Sequence, residues 1–280
     1  MVKQYLNNLL GRFSSDLAMD LGTANTLIYV KEKGIVLNEP SVIAVNPTGN
    51  GVEAVGLDAK HMYGRTHDQL NAIRPMKDGV IADFDSTHRM ITHFIKKILK
   101  KYWFIKPRIV VGIPTCITQV EKKAVVDSAY MAGVRDVYLV EEPMAAAIGA
   151  GIPVHKAEGN MVVDIGGGTS DVAVISLSAI AHGESVRVGG DKMDEAIVRY
   201  MRIRHHLNIG VFAGERAKIE AGSAYPLDKR LTTAVKGLNI QTGIPTSIVV
   251  DNEEIREAIN EPLSTIITVI MRALEKTSPE

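Results

Sequence analysis

Met161-Val162-Val163-Asp164-Ile165-Gly166-Gly167-Gly168-Thr169-Ser170-Asp171-Val172-Ala173-Val174-Ile175 is the stretch from which the fold can be read. Apolar, largely β-branched runs flank three consecutive glycines, a pattern that predicts two strands joined by a turn whose backbone can press against a large group. Consecutive glycine N–H groups converge on anionic oxygens with no Cβ in the way, and Thr169 adds a hydroxyl donor, so phosphate suits the tip. Asp164 ends the incoming strand and aims a carboxylate at the same place, as a divalent cation shared with phosphates requires. Taken alone, the stretch is equally readable as an ordinary Gly-rich hairpin.

A second stretch repeats the plan. Leu17-Ala18-Met19-Asp20-Leu21-Gly22-Thr23-Ala24-Asn25-Thr26-Leu27-Ile28-Tyr29-Val30 is again apolar strand, Asp, glycine turn with threonine, apolar strand. Asp20 and Asp164 lie 144 residues apart, a domain-sized spacing rather than that of a solenoid. Two such hairpins predict two similar lobes closing over one nucleotide, each offering one turn to the phosphates.

The paired turns DLGT (20–23) and DIGGGT (164–169) resemble those of the actin, sugar-kinase and heat-shock-chaperone ATPase superfamily. With DLGTANTLIYV, GIVLNEPSV, IRPMKDGVIADF, EEPMAAAIGAG, DIGGGTSDVAVISL and VRVGGDKMDEAI, the chain is similar to the bacterial MreB family of rod-shape actin homologues from about Asp16 to its last residue. The resemblance implies an α/β, actin-like two-lobed ATPase fold of duplicated RNase H-like lobes. Lobe I would run over 16–155 with a small subdomain at about 39–84, and lobe II over 156–280 with a small subdomain at about 191–256. It also implies ATP or ADP with Mg²⁺ as ligands, self-assembly into paired protofilaments, and work with the membrane proteins of cell-wall elongation on the inner face of the cytoplasmic membrane.

Composition agrees with a globular protein and narrows the partners. The 280 residues are 46% hydrophobic and 23% charged, enough for two lobes with a core each. Lys plus Arg equals Asp plus Glu at 32, so no global field recruits nucleic acid. A single cysteine, Cys116, excludes an internal disulfide and fits a reducing cytoplasm. No apolar run reaches the roughly 18 residues of a membrane-spanning helix.

Two segments read as membrane contacts. Val2, Tyr5, Leu6, Leu9, Leu10 and Phe13 recur at helical spacing, with Lys3, Gln4, Asn7, Asn8 and Arg12 opposite. A helix this short with a basic face suits the lipid interface; the alternative is a terminal helix docked on its own domain. Residues 1–15 are thus expected to form an amphipathic membrane-targeting helix, as in some members of the family. Trp103 and Phe104 sit side by side among Lys96, Lys97, Lys100, Lys101, Lys106 and Arg108 with no acid between, the composition of an interfacial anchor for anionic lipid. The alternative is that both rings cap the core beneath Pro107.

Between these landmarks, residues 86–101 predict an amphipathic helix, and Ile109–Pro114 a continuous apolar run, hence a buried central strand. Thr115–Ala132 predicts a helix and Val137–Val140 a strand ending at Glu141-Glu142-Pro143, with a helix starting just past the proline. A carboxylate at that edge can orient or deprotonate a water aimed at a γ-phosphate. In the superfamily the acid directly before the proline has this part, which points to Glu142; Asp20 and Asp164 would arrange the metal's waters. The resemblance places phosphates against Gly22, Thr23, Ala24, Asn25, Gly166, Gly167, Gly168, Thr169, Gly189 and Gly190.

Past the second hairpin, a helix is expected over 194–207, with Asp191 and Asp194 readable as N-terminal caps. Glu215 and Lys218 stand one turn apart on a helix, by themselves a surface ion pair; the superfamily match makes Glu215, Arg216, Ala217 and Lys218 the ribose and adenine contacts. Strands are expected around Gly237 and Gly243, then a long helix from Asn252 to Glu275 interrupted near Pro262. The family continues with further strands and a Gly-rich turn completing the adenine pocket, so these 280 residues imply an incomplete second lobe with weakened nucleotide affinity. No Walker A sequence occurs. A chaperone ATPase, a sugar kinase and a nucleotide-binding scaffold without turnover are the rival readings.

Overall fold

The computed structural model describes residues 16–31, 33–46, 51–62, 71–99, 106–115 and 117–277. The membrane contacts expected at Val2, Leu6, Leu9, Leu10, Phe13, Trp103 and Phe104 lie outside the described residues, as does Cys116.

Strands β1 (Leu17–Leu21), β2 (Asn25–Val30) and β3 (Gly34–Pro40) form an antiparallel meander. A small sheet of β4 (Ile43–Val45), β5 (Val52–Val55) and, beyond helix α1 (Leu57–Met62), β6 (Asn71–Ile73) follows, and then the hairpin β7 (Met76–Lys77) and β8 (Val80–Ile81). Helix α2 (Phe84–Leu99), β9 (Arg108–Ile113), α3 (Gln119–Met131), β10 (Asp136–Glu141) and α4 (Glu142–Gly149) complete this half. β9 joins parallel to β1 and β10 parallel to β9, giving the sheet order β10-β9-β1-β2-β3.

Alternation builds the first core. Leu17, Met19 and Leu21 of β1 point to one face, where the α2 stripe Met90, Ile91, Phe94, Ile95 and Ile98 meets them. Burying each such side chain contributes about 1.5–3 kcal/mol. β9 departs from its expected burial on both faces: Ile109, Val111 and Ile113 are inside, but Val110 is 40% exposed. It lies in a cross-strand row with Tyr138, Ala18 and Tyr29, a row no described element covers.

The second half opens with the same meander, β11 (Asn160–Ile165), β12 (Ser170–Ser176) and β13 (Ala179–Val186). Asp164 holds the next-to-last place in β11, as Asp20 does in β1. Helix α5 (Gly190–Arg204), β14 (Leu207–Asn208), α6 (Val211–Ala221), β15 (Thr232–Asn239) and β16 (Pro245–Asp251) surround a separate core of Ile197, Met201, Leu207, Val235 and Val250. Helix α7 (Asn252–Glu275) joins the parts: Ile255 and Ile259 enter that core, while Val269 and Ala273 pack on Val172 of β12.

Several boundaries move for identifiable reasons. α3 begins at Gln119 rather than Thr115 because Thr118 and Glu121 close a capping box. α4 begins at Glu142, with Pro143 in its first turn where a missing N–H costs nothing. α5 starts four residues early, at Gly190, and its N-cap Gly189 makes no side-chain cap, so neither Asp191 nor Asp194 serves as one. α7 runs unbroken through Pro262: its Asp251–Glu254 capping box and the buried stripe Ile255, Ile259, Pro262, Ile266 and Val269 outweigh the roughly 3 kcal/mol an interior proline costs.

Candidate functional site

Sequence position 20 and sequence position 164 meet across one cleft. Its walls are Asp20, Gly22, Thr23, Ala24 and Asn25 from the first turn, Asp164, Gly166, Gly167, Gly168 and Thr169 from the second, with Gly79, Pro114 and Glu142 between them. The turns approach so closely that side chains would collide. A Cβ on Gly167 would meet Ala24 Cβ at 2.7 Å, and one on Gly168 would meet Thr23 Oγ1 at 2.6 Å and the Gly79 nitrogen at 2.7 Å. Thr23 is itself held, accepting the Gly79 N–H at 3.2 Å.

Register delivers the carboxylates. Asp20 pairs with Gly112 on β9, and Gly112 with Val140 on β10, so the residue just past β10, Glu142, is carried toward Asp20. Gly112 leaves it room, since a Cβ there would stand 3.4 Å from Glu142 Cγ. In the other half Asp164 lies directly opposite Asp171 across β11 and β12. Like charges so placed weaken a sheet. Asp171 is 2% exposed, and its Oδ1 has no hydrogen-bond partner among the described residues.

The electrostatic consequence is large. Burial pushes Glu142 up to about 8, with Asp20, Asp171 and Asp164 adding repulsion. Burial and then Asp164 raise Asp20; burial and then Asp171 raise Asp164. Three acids whose ionisation is disfavoured, Glu142, Asp20 and Asp164, with Asp171 beside them, form a site for positive charge. Among the described residues no three His, Cys, Asp or Glu side chains converge as a ready-made metal cage. That set fits Mg²⁺, which keeps water and takes one or two carboxylates alongside phosphate oxygens.

The remaining expected contacts divide. Gly190 N–H donates to Gly166 O at 3.0 Å and Asp191 N–H to Gly167 O at 2.8 Å, so the Gly189–Gly190 turn is laced to the glycine turn. Lys218 Nζ donates to Gly190 O at 2.9 Å and pairs with the buried Asp194 at 2.8 Å. Burial raises Asp194 to about 6 even against the pull of Lys218. Glu215 pairs with Lys60, from the other half of the chain. Two members of that run fall elsewhere: Ala217 is buried in the core behind α6, and Arg216 faces Glu220 on the outside. Successive helical residues turn 100° apart, so a four-residue run cannot all face one cleft.

Sequence reasoning missed Asp171, Lys60 and Arg74. Asp171 carried a signal, an acid inside an apolar strand two residues after the turn. Lys60 and Arg74 carried none, because their partners lie more than 100 residues away.

The model of the family described as MreB/Mbl protein matches residues 14–280. The chain is 53% identical over 280 residues to the cell shape-determining protein MreB of Escherichia coli strain K12, covering 98% of this chain and 81% of that relative. It is 46% identical over 268 residues to the cell shape-determining protein Mbl of Bacillus subtilis strain 168, covering 96% and 80%. Among solved structures it is similar to MreB 5 of Spiroplasma citri bound to AMPPNP, with TM-score 0.88 and 33% identity over 95% of this chain and 80% of that one. A MamK double helical filament, at 20% identity and TM-score 0.77 over 95% of this chain and 81% of that one, shares the fold. Facing acid-and-glycine turns, an actin-like architecture and identity across nearly the whole length agree: the chain belongs to the MreB/Mbl family.

Proposed function

We propose that the chain binds ATP and ADP with Mg²⁺ between its two glycine turns and hydrolyses ATP slowly. We further propose that it assembles with its own copies into filaments on the inner face of the cytoplasmic membrane, where they organise cell-wall synthesis and maintain rod shape. One observation carries the reading: two matching turns, remote in sequence, face each other across a cleft whose acids repel one another. The Spiroplasma citri relative bound to AMPPNP, and the same relative bound to ADP, support a nucleotide there, and the relatives' cell-shape role supports the destination.

The chain's own groups divide the work. Amides of Gly22–Asn25 and Gly167–Thr169 bind phosphate oxygens, while the Gly166 N–H closes the turn on Thr169 O at 2.9 Å and the Gly189–Gly190 turn buttresses it from behind. Mg²⁺, held through water by Asp20 and Asp164, would supply charge that steadies the phosphates and the leaving group. Glu142 keeps its proton while only carboxylates surround it and releases it once positive charge enters the cleft; ionised, it orients the attacking water and accepts a proton from it. Glu215 and Lys218 are the ribose-side residues in this reading. The amphipathic segment 1–15 and the Trp103–Phe104 loop would meet anionic lipid.

The test is titration calorimetry of Mg-ATP with a phosphate-release assay on the wild type and Glu142→Ala. Binding with release that the variant loses is expected; no binding of either nucleotide rejects the reading. A scaffold without turnover is the second reading, favoured by the proton Glu142 retains at neutral pH. Wild-type release indistinguishable from the variant's at pH about 7 and about 9 would select it. Sedimentation with anionic liposomes and electron microscopy of ATP-loaded protein on lipid test the membrane and filament parts, and unchanged sedimentation after deleting residues 1–13 rejects the helix as an anchor.

A further inference from the structure

The cleft is bridged near its ribose side by a cluster that none of the expected contacts requires. Lys60, in the last turn of α1, donates to both carboxylate oxygens of Glu215 on α6, at 3.0 and 2.9 Å. Arg74, just past β6, donates to Asp191 on α5 at 2.7 Å. Between them lies Phe212 of α6, with Lys60 Nζ 5.1 Å and the Arg74 guanidinium 5.8 Å from its ring centroid. Two cations from the first half thus each engage a carboxylate and one shared ring of the second half.

These contacts are anchored at both ends. α1 is seated by the buried Ala59 and by Glu39, which accepts the Leu57 N–H at 2.8 Å. On the other side, Asp191 donates its own N–H to Gly167 O, and Lys218, one turn along from Glu215, holds Gly190 O. One path therefore runs from α1 through Glu215 and Lys218 to Gly190, and another from Arg74 through Asp191 to Gly167 of the turn that faces phosphate. The four ion-pair side chains are 18–27% exposed, sheltered enough for the pairs to resist screening yet open enough to exchange partners.

We infer that Lys60 is a positioning residue that competes with the nucleotide ribose for Glu215, so that ribose binding releases the Lys60–Glu215 arm of the bridge between the two halves and leaves the Arg74–Asp191 arm in place. The inference rests on reading Glu215 as the ribose carboxylate. With Lys60 donating to both oxygens, one acceptor site on each Glu215 oxygen is already engaged, so the ribose hydroxyls of ATP and the ammonium contend for the same carboxylate, whereas a nucleotide without those hydroxyls leaves the pair closed. Part of the binding free energy of a complete ribose is thereby converted into freedom of one half relative to the other.

The test compares affinities of the full chain for ATP and 2′,3′-dideoxy-ATP, which carry the same charge, so the loss of a cation cancels in their ratio. Lys60→Met is expected to raise the preference for ATP about twofold to fivefold, the range of a partly exposed ion pair. The charge-swapped pair Lys60→Glu with Glu215→Lys keeps the bridge but removes the ribose acceptor, and should lose the preference while keeping the wild-type hydrogen-exchange protection of the Gly190 and Asp191 amides. A ratio unchanged in Lys60→Met, while Glu215→Gln abolishes the wild-type preference, overturns the competition and leaves the ribose reading standing. Glu215→Gln with its preference intact overturns the ribose reading, and this inference with it.

Discussion

Replacing Glu142 by Gln is expected to stabilise the ligand-free chain, and increasingly so as pH rises. The folded state holds the Glu142 proton up to about 8, whereas the unfolded chain releases it near 4.5. Between those values the folded state binds more protons than the unfolded one, so the wild type loses stability as pH climbs through the window and levels off above about 8. Each pH unit corresponds to about 1.4 kcal/mol, which sets a ceiling of about 5 kcal/mol on the loss. Water reaches the cleft, and the N-terminus of α4, which Glu142 opens, favours the anion by about 0.3–1 kcal/mol. The expected gain for Gln is therefore about 2 kcal/mol at pH 8 and a small fraction of that at pH 5. For a chain of this size it corresponds to a melting temperature higher by about 4 °C at the alkaline end. Scanning calorimetry of wild type and variant at several pH values reads it directly. Adding Mg²⁺ without nucleotide should shrink the gap, because positive charge among the acids favours ionised Glu142. A gain equal at pH 5 and pH 8, or a variant less stable than wild type at pH 8, would refute the account of the cleft as a site of mutually repelling acids.

Three further outcomes follow from the same geometry. Gly167→Ala drives a methyl into Ala24 and should push the two turns apart, lowering Mg-ATP affinity by about tenfold or more in calorimetry while far-UV circular dichroism stays unchanged. Lys218→Met strands the buried Asp194 and should cost about 3 kcal/mol by denaturant unfolding at pH 7.5; the loss should shrink toward pH 5 as Asp194 takes up a proton, and Asp194→Asn in the same chain should recover most of it. Asp171→Asn removes a repelling neighbour of both Glu142 and Asp164, so NMR titration of the carboxyls should find Glu142 below its wild-type value of about 8, with stability at alkaline pH higher by about 0.5–1 kcal/mol.

Local chemistry made much of this protein legible from its sequence. Alternating apolar residues on either side of Gly22-Thr23 and Gly166-Gly167-Gly168 specify hairpins, because a strand's side-chain period and a glycine's freedom of approach are properties of a few neighbouring residues. The repeat of that pattern 144 residues apart announced two related halves, and Asp20, Asp164 and Glu142 stood out as acids at the ends of apolar strands. Tertiary structure decided what those residues meet. Whether Val110 is buried depends on which faces of its sheet a helix covers; the apolar run cannot say, and α2 covers only one. Pro262 does not break α7, because the helix is held by what it packs against as well as by its own backbone. Above all, the opposition of Asp164 and Asp171, the retained proton of Glu142 and the reach of Lys60 to Glu215 arise from register and closure between distant segments. Charge acts through space, over a few ångströms, and only the folded chain determines which charges come that near.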